Sequence, residues 1–229
     1  MIELGVLEAG LSKPQIFESF TKGLLLIGVS ELGDKTFFIT AILAMRHPRR
    51  WVLVGAIAAL AAMTVISVLM GQAVSHFPQV YVRGLEILLF IVFGLKLLYN
   101  ATQMAHRPNL EEQKEAAEAV EKAETKLAKN LSHHWGTWVI VGEAFSLIFL
   151  AEWGDRTQFA TIALAAANNS IGITLGSIVG HAICAAIAVM CGRFVCGRIS
   201  ERTITTLGGA LFLIFAAVAG LELVRSRWI

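Results

Sequence analysis

This 229-residue chain is poor in charge: Asp, Glu, Lys and Arg make up 16% of it, against roughly a quarter in ordinary soluble domains. The charges that exist are crowded into short segments between long apolar runs, which excludes an evenly solvated surface. The net charge is only +2, and no basic stripe with interleaved aromatics occurs, so a nucleic-acid partner is excluded. Cysteine is equally sparse. Cys184, Cys191 and Cys196 fall in one apolar stretch and its end. An odd, clustered set without CxxC spacing supplies neither a disulfide framework nor a thiolate metal site, and it reads as small apolar packing residues. Residues 1–20 are not expected to be a cleavable leader: Met1 to Phe20 lacks a basic head, contains Glu3, Glu8 and Glu18, and has Pro14 where an apolar core should run. Residues 1–20 are expected to form an amphipathic lead-in near the lipid headgroups.

Apolar residues fill the rest, at 56%. At roughly 20 apolar residues per membrane-crossing helix, the runs predict six spans, at about 21–45, 51–74, 82–104, 136–165, 171–195 and 203–224. Trp51, Trp135, Trp138 and Trp228 sit at their ends, where amphipathic rings favour the interface. Residues 21–104 and 136–224 thus form two blocks of three spans. Between them, at 105–135, lies a polar connector containing EEQKEAAEAVEKAETKLAKN. Its composition and the Glu118–Lys122 spacing predict a solvated helix. If both termini share one side, that side holds Lys13, Lys22, Arg83, Arg225 and Arg227. The other side holds eleven basic residues, including Arg46, Arg49, Arg50, Arg107 and the lysines of the connector. The positive-inside rule places this richer side in the cytoplasm, with both termini outside or in a lumen.

The two blocks resemble each other. Glu31-Leu-Gly33-Asp34-Lys35-Thr36 in the first meets Glu152-Trp-Gly154-Asp155-Arg156-Thr157 in the fourth span. At the same offset Thr40 meets Thr161, Gly55 meets Gly176 and Gly71 meets Gly192. A repeat of three spans re-enters the membrane from the opposite face, so the expected fold is all-α and integral to the membrane, with six helices in two inverted three-helix repeats. Secondary transporters are built this way, with the substrate site at the repeat interface near the midplane. Ionisable groups at that depth cost at least ~2.5–3.5 kcal/mol each on insertion scales, so they need pairing, a bound ion or a wet cavity. On a continuous helix, acids at i and i+3 followed by a base at i+4 share a face. Gly33 and Gly154 would then allow close helix packing. Each motif carries two carboxylates and one base, and two motifs sum to −2, which one divalent cation neutralises. Carboxylates, Thr hydroxyls and carbonyls are hard ligands suited to Ca²⁺, Mn²⁺ or Mg²⁺ rather than Cu⁺. When the metal leaves, crowded carboxylates take up protons instead. That competition is sufficient chemistry for antiport.

These residues resemble the hallmark of the cation/proton exchangers of uncharacterised protein family sixteen, also grouped as a second calcium/cation antiporter superfamily. That hallmark is two copies of Glu-hydrophobic-Gly-Asp-Lys/Arg-Thr/Ser, and 31–36 and 152–157 match it without departure. SELGDKTFFITAILAM and AEWGDRTQFATIALA are most similar to the cyanobacterial and chloroplast manganese-transporter branch. The resemblance implies export of Mn²⁺, Ca²⁺ or both from the cytoplasm against protons. It also implies a plasma-membrane or thylakoid location in a cyanobacterium or other bacterium, and no prosthetic group. The family's metal-site acids carry over to Glu31, Asp34, Glu152 and Asp155, with Lys35, Thr36, Arg156 and Thr157 as companions for charge balance, ligand support or proton coupling.

Other readings compete. The motifs form either a metal site or a structural ion-pair network in a non-transporting assembly factor. An intramembrane aspartyl protease would need Tyr-Asp and a Gly-x-Gly-Asp; the first is absent, and Glu31 and Glu152 occupy the first glycine of the second. The chain is therefore not expected to be an enzyme. His181 is a ligand, a proton relay or a packing histidine; its counterpart in the first repeat is Leu60, so symmetry does not demand it. Glu86, Glu143, Lys96 and Glu222 lie nearer span ends, where long side chains reach water cheaply. Gln158 has Phe37 as its counterpart and is set aside.

Overall fold

Two of the expected spans are interrupted at the motif itself. The computed structural model describes residues 13–103, 110–130, 136–195 and 201–226. Within them the first span is two helices, α1 (Lys13–Ser30) and α2 (Lys35–Arg46), followed by α3 (Arg49–Val74) and α4 (Gln79–Gln103). The connector contributes α5 (Leu110–Asn130). The fourth span is again double, α6 (Thr137–Ala151) and α7 (Arg156–Ala167), and α8 (Ser170–Val195) and α9 (Glu201–Ser226) follow. The lead-in up to residue 12, together with Trp135, Cys196 and Trp228, lies outside the described residues.

The continuous helices expected at 21–45 and 136–165 are thus corrected to broken ones, and the motif acids do not share a helical face. The cause is local. Gly33 and Gly154 have φ of +79° and +83°, a left-handed conformation that ends a helix and that glycine adopts without penalty. Asp34 and Asp155 then stand in extended conformation as the first residues before α2 and α7. Aspartate is a favoured residue there because its carboxylate accepts from free backbone N–H groups. The Asp155 side chain accepts from Thr157 N at 3.2 Å. The bend between α6 and α7 is 77°. Both glycines thus have a backbone role; the close packing also expected of them is absent at Gly154 among the described residues and present at Gly33, against Ile204 of α9.

By length and composition, Arg49–Val74, Ser170–Met190 and Arg202–Arg225 can each cross a bilayer, and the bent α6–α7 pair makes a fourth. The remaining two expected spans carry Lys22, Glu31, Asp34, Lys35 and Arg46, and Arg83, Glu86 and Lys96. Large apolar side chains such as Leu69, Leu150, Met190 and Leu221 are more than half exposed, which suits a lipid-facing surface.

The two halves of the chain pack into each other rather than side by side. α1 lies along α8, α6 along α3, and α4 along α9. The first two pairs meet backbone to backbone: a Cβ on Gly55 of α3 would stand 2.6 Å from Val141 O of α6, and one on Gly176 of α8 would collide with Phe20 O of α1. Edge-to-face packing of Phe90 on Phe212, centroids 5.7 Å apart, joins α4 to α9. Midway along α1, Lys22 donates to Asn168 just beyond α7 at 3.1 Å, while His47 just beyond α2 faces Glu143 midway along α6. The two broken pairs therefore run in opposite directions.

The solvated reading of the connector is also corrected. α5 buries Ala116 and Val120 completely in the cluster formed by Phe37, Ile39, Leu43 and Ile148. Lys35–Glu115, at 3.0 Å, and Arg46–Glu124 bind it to α2. Its outer face keeps the Glu118–Lys122 pair at 3.8 Å.

The left-handed glycines generate a graded expectation. Nothing lies within 4 Å of a Cβ built on Gly154, so Gly154→Ala carries backbone strain alone, about 1–2 kcal/mol. A Cβ on Gly33 would also stand 2.9 Å from Ile204 Cδ1, so Gly33→Ala should be costlier. Thermal unfolding of the detergent-solubilised variants should fall by several degrees for Gly154→Ala and further for Gly33→Ala. Unchanged midpoints would show that the breaks do not depend on these conformations.

Candidate metal centre

The two breaks face each other and bring the motif acids together. Glu31 and Glu152, each the residue that follows a helix C-terminal end, are 3% and 2% exposed. Oxygens of Glu31, Asp34 and Glu152 lie within 4.8 Å of one another. Thr36 Oγ1 donates to Glu31 Oε2 at 3.2 Å. The second oxygens, Glu31 Oε1 and Glu152 Oε1, are buried with no hydrogen-bond partner among the described residues. One guanidinium bridges the halves: Arg156, the first residue of α7, donates from Nη2 to Asp34 Oδ1 at 3.1 Å. Asp155 stays outside the tight triad, its Oδ2 accepting from Thr157 N and from Thr157 Oγ1 at 3.1 Å, yet its charge acts on Glu31, Asp34 and Glu152 alike.

Backbone dipoles add to this. The N-terminal ends of α2 and α7 point their free N–H groups at the aspartates, and the C-terminal ends of α1 and α6 turn carbonyls toward the same region. Helix ends carry roughly half a unit of charge, positive beside the aspartates and negative where a cation can be received. Discontinuous helices of this kind build ion sites inside membranes because unwound backbone supplies both signs without extra side chains. Beside the second break, a cavity of about 390 Å³ is lined by Lys96, Asn100, Asp155 and Arg156, with Phe93 and Phe159 among its walls.

Not every expected companion joins the acids. Lys35 turns to Glu115 of α5, so its charge is spent on the connector. His181 is buried in α8 at 6% exposure and its Nδ1 has no hydrogen-bond partner among the described residues, but it is not part of the acid cluster. Cys184 is buried, its Sγ 3.7 Å from Gly28 O. Gln158, set aside in the sequence, accepts from Gly154 N through Oε1 at 2.8 Å and thereby fixes the second break. Only the break's geometry could reveal this, because the residue has no counterpart in the first repeat.

Glu86 and Glu143 are corrected as well: both are buried, at 2% and 5% exposure, not extended to water. Glu86 accepts from Asn168 at 3.1 Å and pairs with Arg83, which also reaches Glu222 at 3.0 Å. Lys22 pairs with Glu222 at 3.0 Å and Glu18 at 2.8 Å. This network ties α1, α4 and α9 together at one end of the molecule, where Glu18, Arg83, Asn168 and Glu222 also line a cavity of about 710 Å³.

The family described as divalent cation/proton antiporter GDT1 matches residues 19–105 and 140–226, two segments related by the same spacing that separates Glu31 from Glu152. The GDT1-like protein sll0615 of Synechocystis sp. is 58% identical over 201 residues, covering 88% of this chain and 96% of that protein. GDT1-like protein 3 of Oryza sativa subsp. indica is 43% identical over 89% of this chain and 74% of its own length. The chloroplastic PAM71-homolog of Arabidopsis thaliana is 41% identical over 86% and 58%. No solved structure matches. A transporter, not an enzyme, is what these matches describe, and the chain belongs to the GDT1 family of divalent cation/proton antiporters.

Proposed function

We propose that the chain exports Mn²⁺, with Ca²⁺ as a competing cargo, from the cytoplasm in exchange for protons, through a shared site made by Glu31, Asp34, Glu152 and Asp155. The observation that carries this reading is that Glu31 and Glu152, each with a buried oxygen left without a partner among the described residues, belong with Asp34 to a cluster whose carboxylate oxygens come within 4.8 Å of one another. A structural ion-pair network would match each acid to a base, whereas four carboxylates here share one guanidinium, that of Arg156. Fully ionised, they leave an excess of three negative charges, which a divalent ion and one retained proton neutralise. Thr36 and Thr157 add hydroxyl oxygens, and the donor set is all hard oxygen, which suits Mn²⁺ and Ca²⁺ and rejects Cu⁺. Protons and metal then compete for the same atoms.

The architecture proposed with it is six spans in two inverted three-helix repeats, the first and fourth broken at the motif. The opposed directions of α1–α2 and α6–α7, and the equivalent contacts Gly55–Val141 and Gly176–Phe20, support it. Charge distribution places α5 in the cytoplasm and both termini outside or in a lumen. On that orientation the cavity beside Asp155 opens toward the cytoplasm, and the Lys22–Glu222–Arg83 network lies on the outer side, between the outer cavity and the acid cluster. Rocking of one unit against another exchanges these states. The location proposed is a plasma or thylakoid membrane; the Arabidopsis thaliana PAM71-homolog is named as chloroplastic.

In liposomes carrying a manganese- or calcium-sensitive dye, a pH gradient should drive metal flux by the native chain. Each of Glu31→Gln, Asp34→Asn, Glu152→Gln and Asp155→Asn should reduce that flux at least tenfold while the protein still inserts and folds. Lowering the pH on the cytoplasmic side should slow export, because protons then hold the oxygens that metal needs. Full Mn²⁺ and Ca²⁺ flux by the quadruple amide variant would overturn the assignment. Lys35→Gln, which breaks only a half-exposed pair worth below about 1 kcal/mol, should leave the fold intact.

A cysteine at Asn100, which lines the cavity, should be labelled from the cytoplasmic side. Neutralising Lys22 should weaken the outer closure and reduce that labelling. Labelling that ignores the Lys22 change would argue against alternating access through these two ends.

A further inference from the structure

The two ends of the molecule use equivalent positions with opposite charge. At the spacing that relates the motifs, Lys22 corresponds to Glu143 and Asn168 to His47. At the first end the Lys22 ammonium is inserted among oxygens of Glu18, Glu222 and Asn168, at 2.8, 3.0 and 3.1 Å. There the chain supplies its own cation.

At the second end the same position is an acid. The Glu143 side chain is 1% exposed, and among the described residues neither of its carboxylate oxygens has a hydrogen-bond partner. Among the described residues no Lys or Arg ion-pairs with it. Its Oε2 faces His47 Nε2 at 3.7 Å, and Glu124 Oε1, brought by α5, is 3.4 Å from the same nitrogen. Arg46 holds the other oxygen of Glu124, which leaves Oε1 turned inward. A buried carboxylate without a cation is costly, and at this end only a proton on His47 or Glu143, or an ion from outside the chain, can answer it.

We propose that His47, Glu124 and Glu143 form a second metal site, distinct from the transport site, for a divalent ion of the Mn²⁺ or Zn²⁺ class. The three ligand atoms lie within 4.8 Å of one another. Ligands that share an ion at about 2.0–2.2 Å stand roughly 3–3.5 Å apart, so the observed separations need only a small contraction. One imidazole with two carboxylates favours Mn²⁺ or Zn²⁺ over Ca²⁺, which takes oxygen alone. The ligands come from the α2–α3 turn, α5 and α6, so a bound ion staples the connector helix to both broken pairs. None of the three belongs to the acid cluster at the breaks, and the proposal stands whether or not that cluster is the transport site.

The test counts Mn²⁺ bound to the full-length, chelator-stripped protein in detergent and examines it by pulsed electron paramagnetic resonance. A directly bound imidazole imprints nitrogen-14 couplings on the ion, which an all-oxygen site does not. The Glu31→Gln chain should keep one Mn²⁺ with nitrogen coupling, displaced by Zn²⁺ but not by equimolar Ca²⁺. Adding Glu143→Gln, which preserves volume, should abolish that ion, and adding His47→Asn, which copies position 168, should remove the nitrogen coupling. Absence of nitrogen coupling in both the native and the Glu31→Gln chain would overturn the proposal, as would an ion indifferent to both added changes. If instead Glu31→Gln binds as many ions as the native chain while Glu143→Gln loses one, the second site stands and the transport-site assignment fails.

Discussion

Everything in this molecule is organised around carboxylates held where water cannot reach them. A charge at membrane depth is tolerated only when something nearby answers it, and the chain answers with backbone rather than with matching bases. Breaking a spanning helix exposes N–H groups at one new end and carbonyls at the other. Gly33 and Gly154 make the breaks, Asp34 and Asp155 cap the helices that restart, and Glu31 and Glu152 remain with oxygens unclaimed. An unbroken helix would present the same acids without the free backbone groups that make their burial bearable. The unclaimed oxygens are the useful residue of the arrangement, since a site fully satisfied by the protein has no reason to take up a cation.

The acids, their pairing across two repeats and their cation class were legible because six-residue motifs rich in charge do not recur by chance in matching apolar runs. The breaks were legible in principle. Glycine followed by aspartate is a helix stop followed by a helix start, but the unbroken apolar periodicity on either side favours one long span. Tertiary burial accounts for the rest. The destination of Lys35 depends on Glu115, far along the chain in a segment whose composition reads as solvated. Ala116 and Val120 alone mark the buried stripe of α5, too few to reveal a docked face. Glu86 and Glu143 look peripheral by position, and only the partners brought by α5 and the α7–α8 turn make them interior. Gln158 owes its role to a hydrogen bond with Gly154 that has no counterpart in the other half.

The duplication is therefore most faithful at the centre and least faithful at the ends. At the centre both copies keep acid, glycine, acid, base and threonine. At the ends, Lys22 against Glu143 and Asn168 against His47 have diverged in charge, and α5 belongs to one end only. Gradients alone set the direction of net exchange, and unequal ends change how the two access states are populated.

The backbone-to-backbone seams between α1 and α8, and between α3 and α6, have a mechanical consequence. Where a carbonyl sits against a glycine, no layer of side chains lies between the helices to change rotamer and absorb shear. Gly172, Gly176 and Gly180 line such a seam along three successive turns of α8, so any sliding of α1 would drive its carbonyls into that surface. Each seam joins a helix from one half of the chain to a helix from the other. The stiff bodies of the molecule thus cut across the gene duplication, and its compliance is left to the four-residue interruptions between α1 and α2 and between α6 and α7.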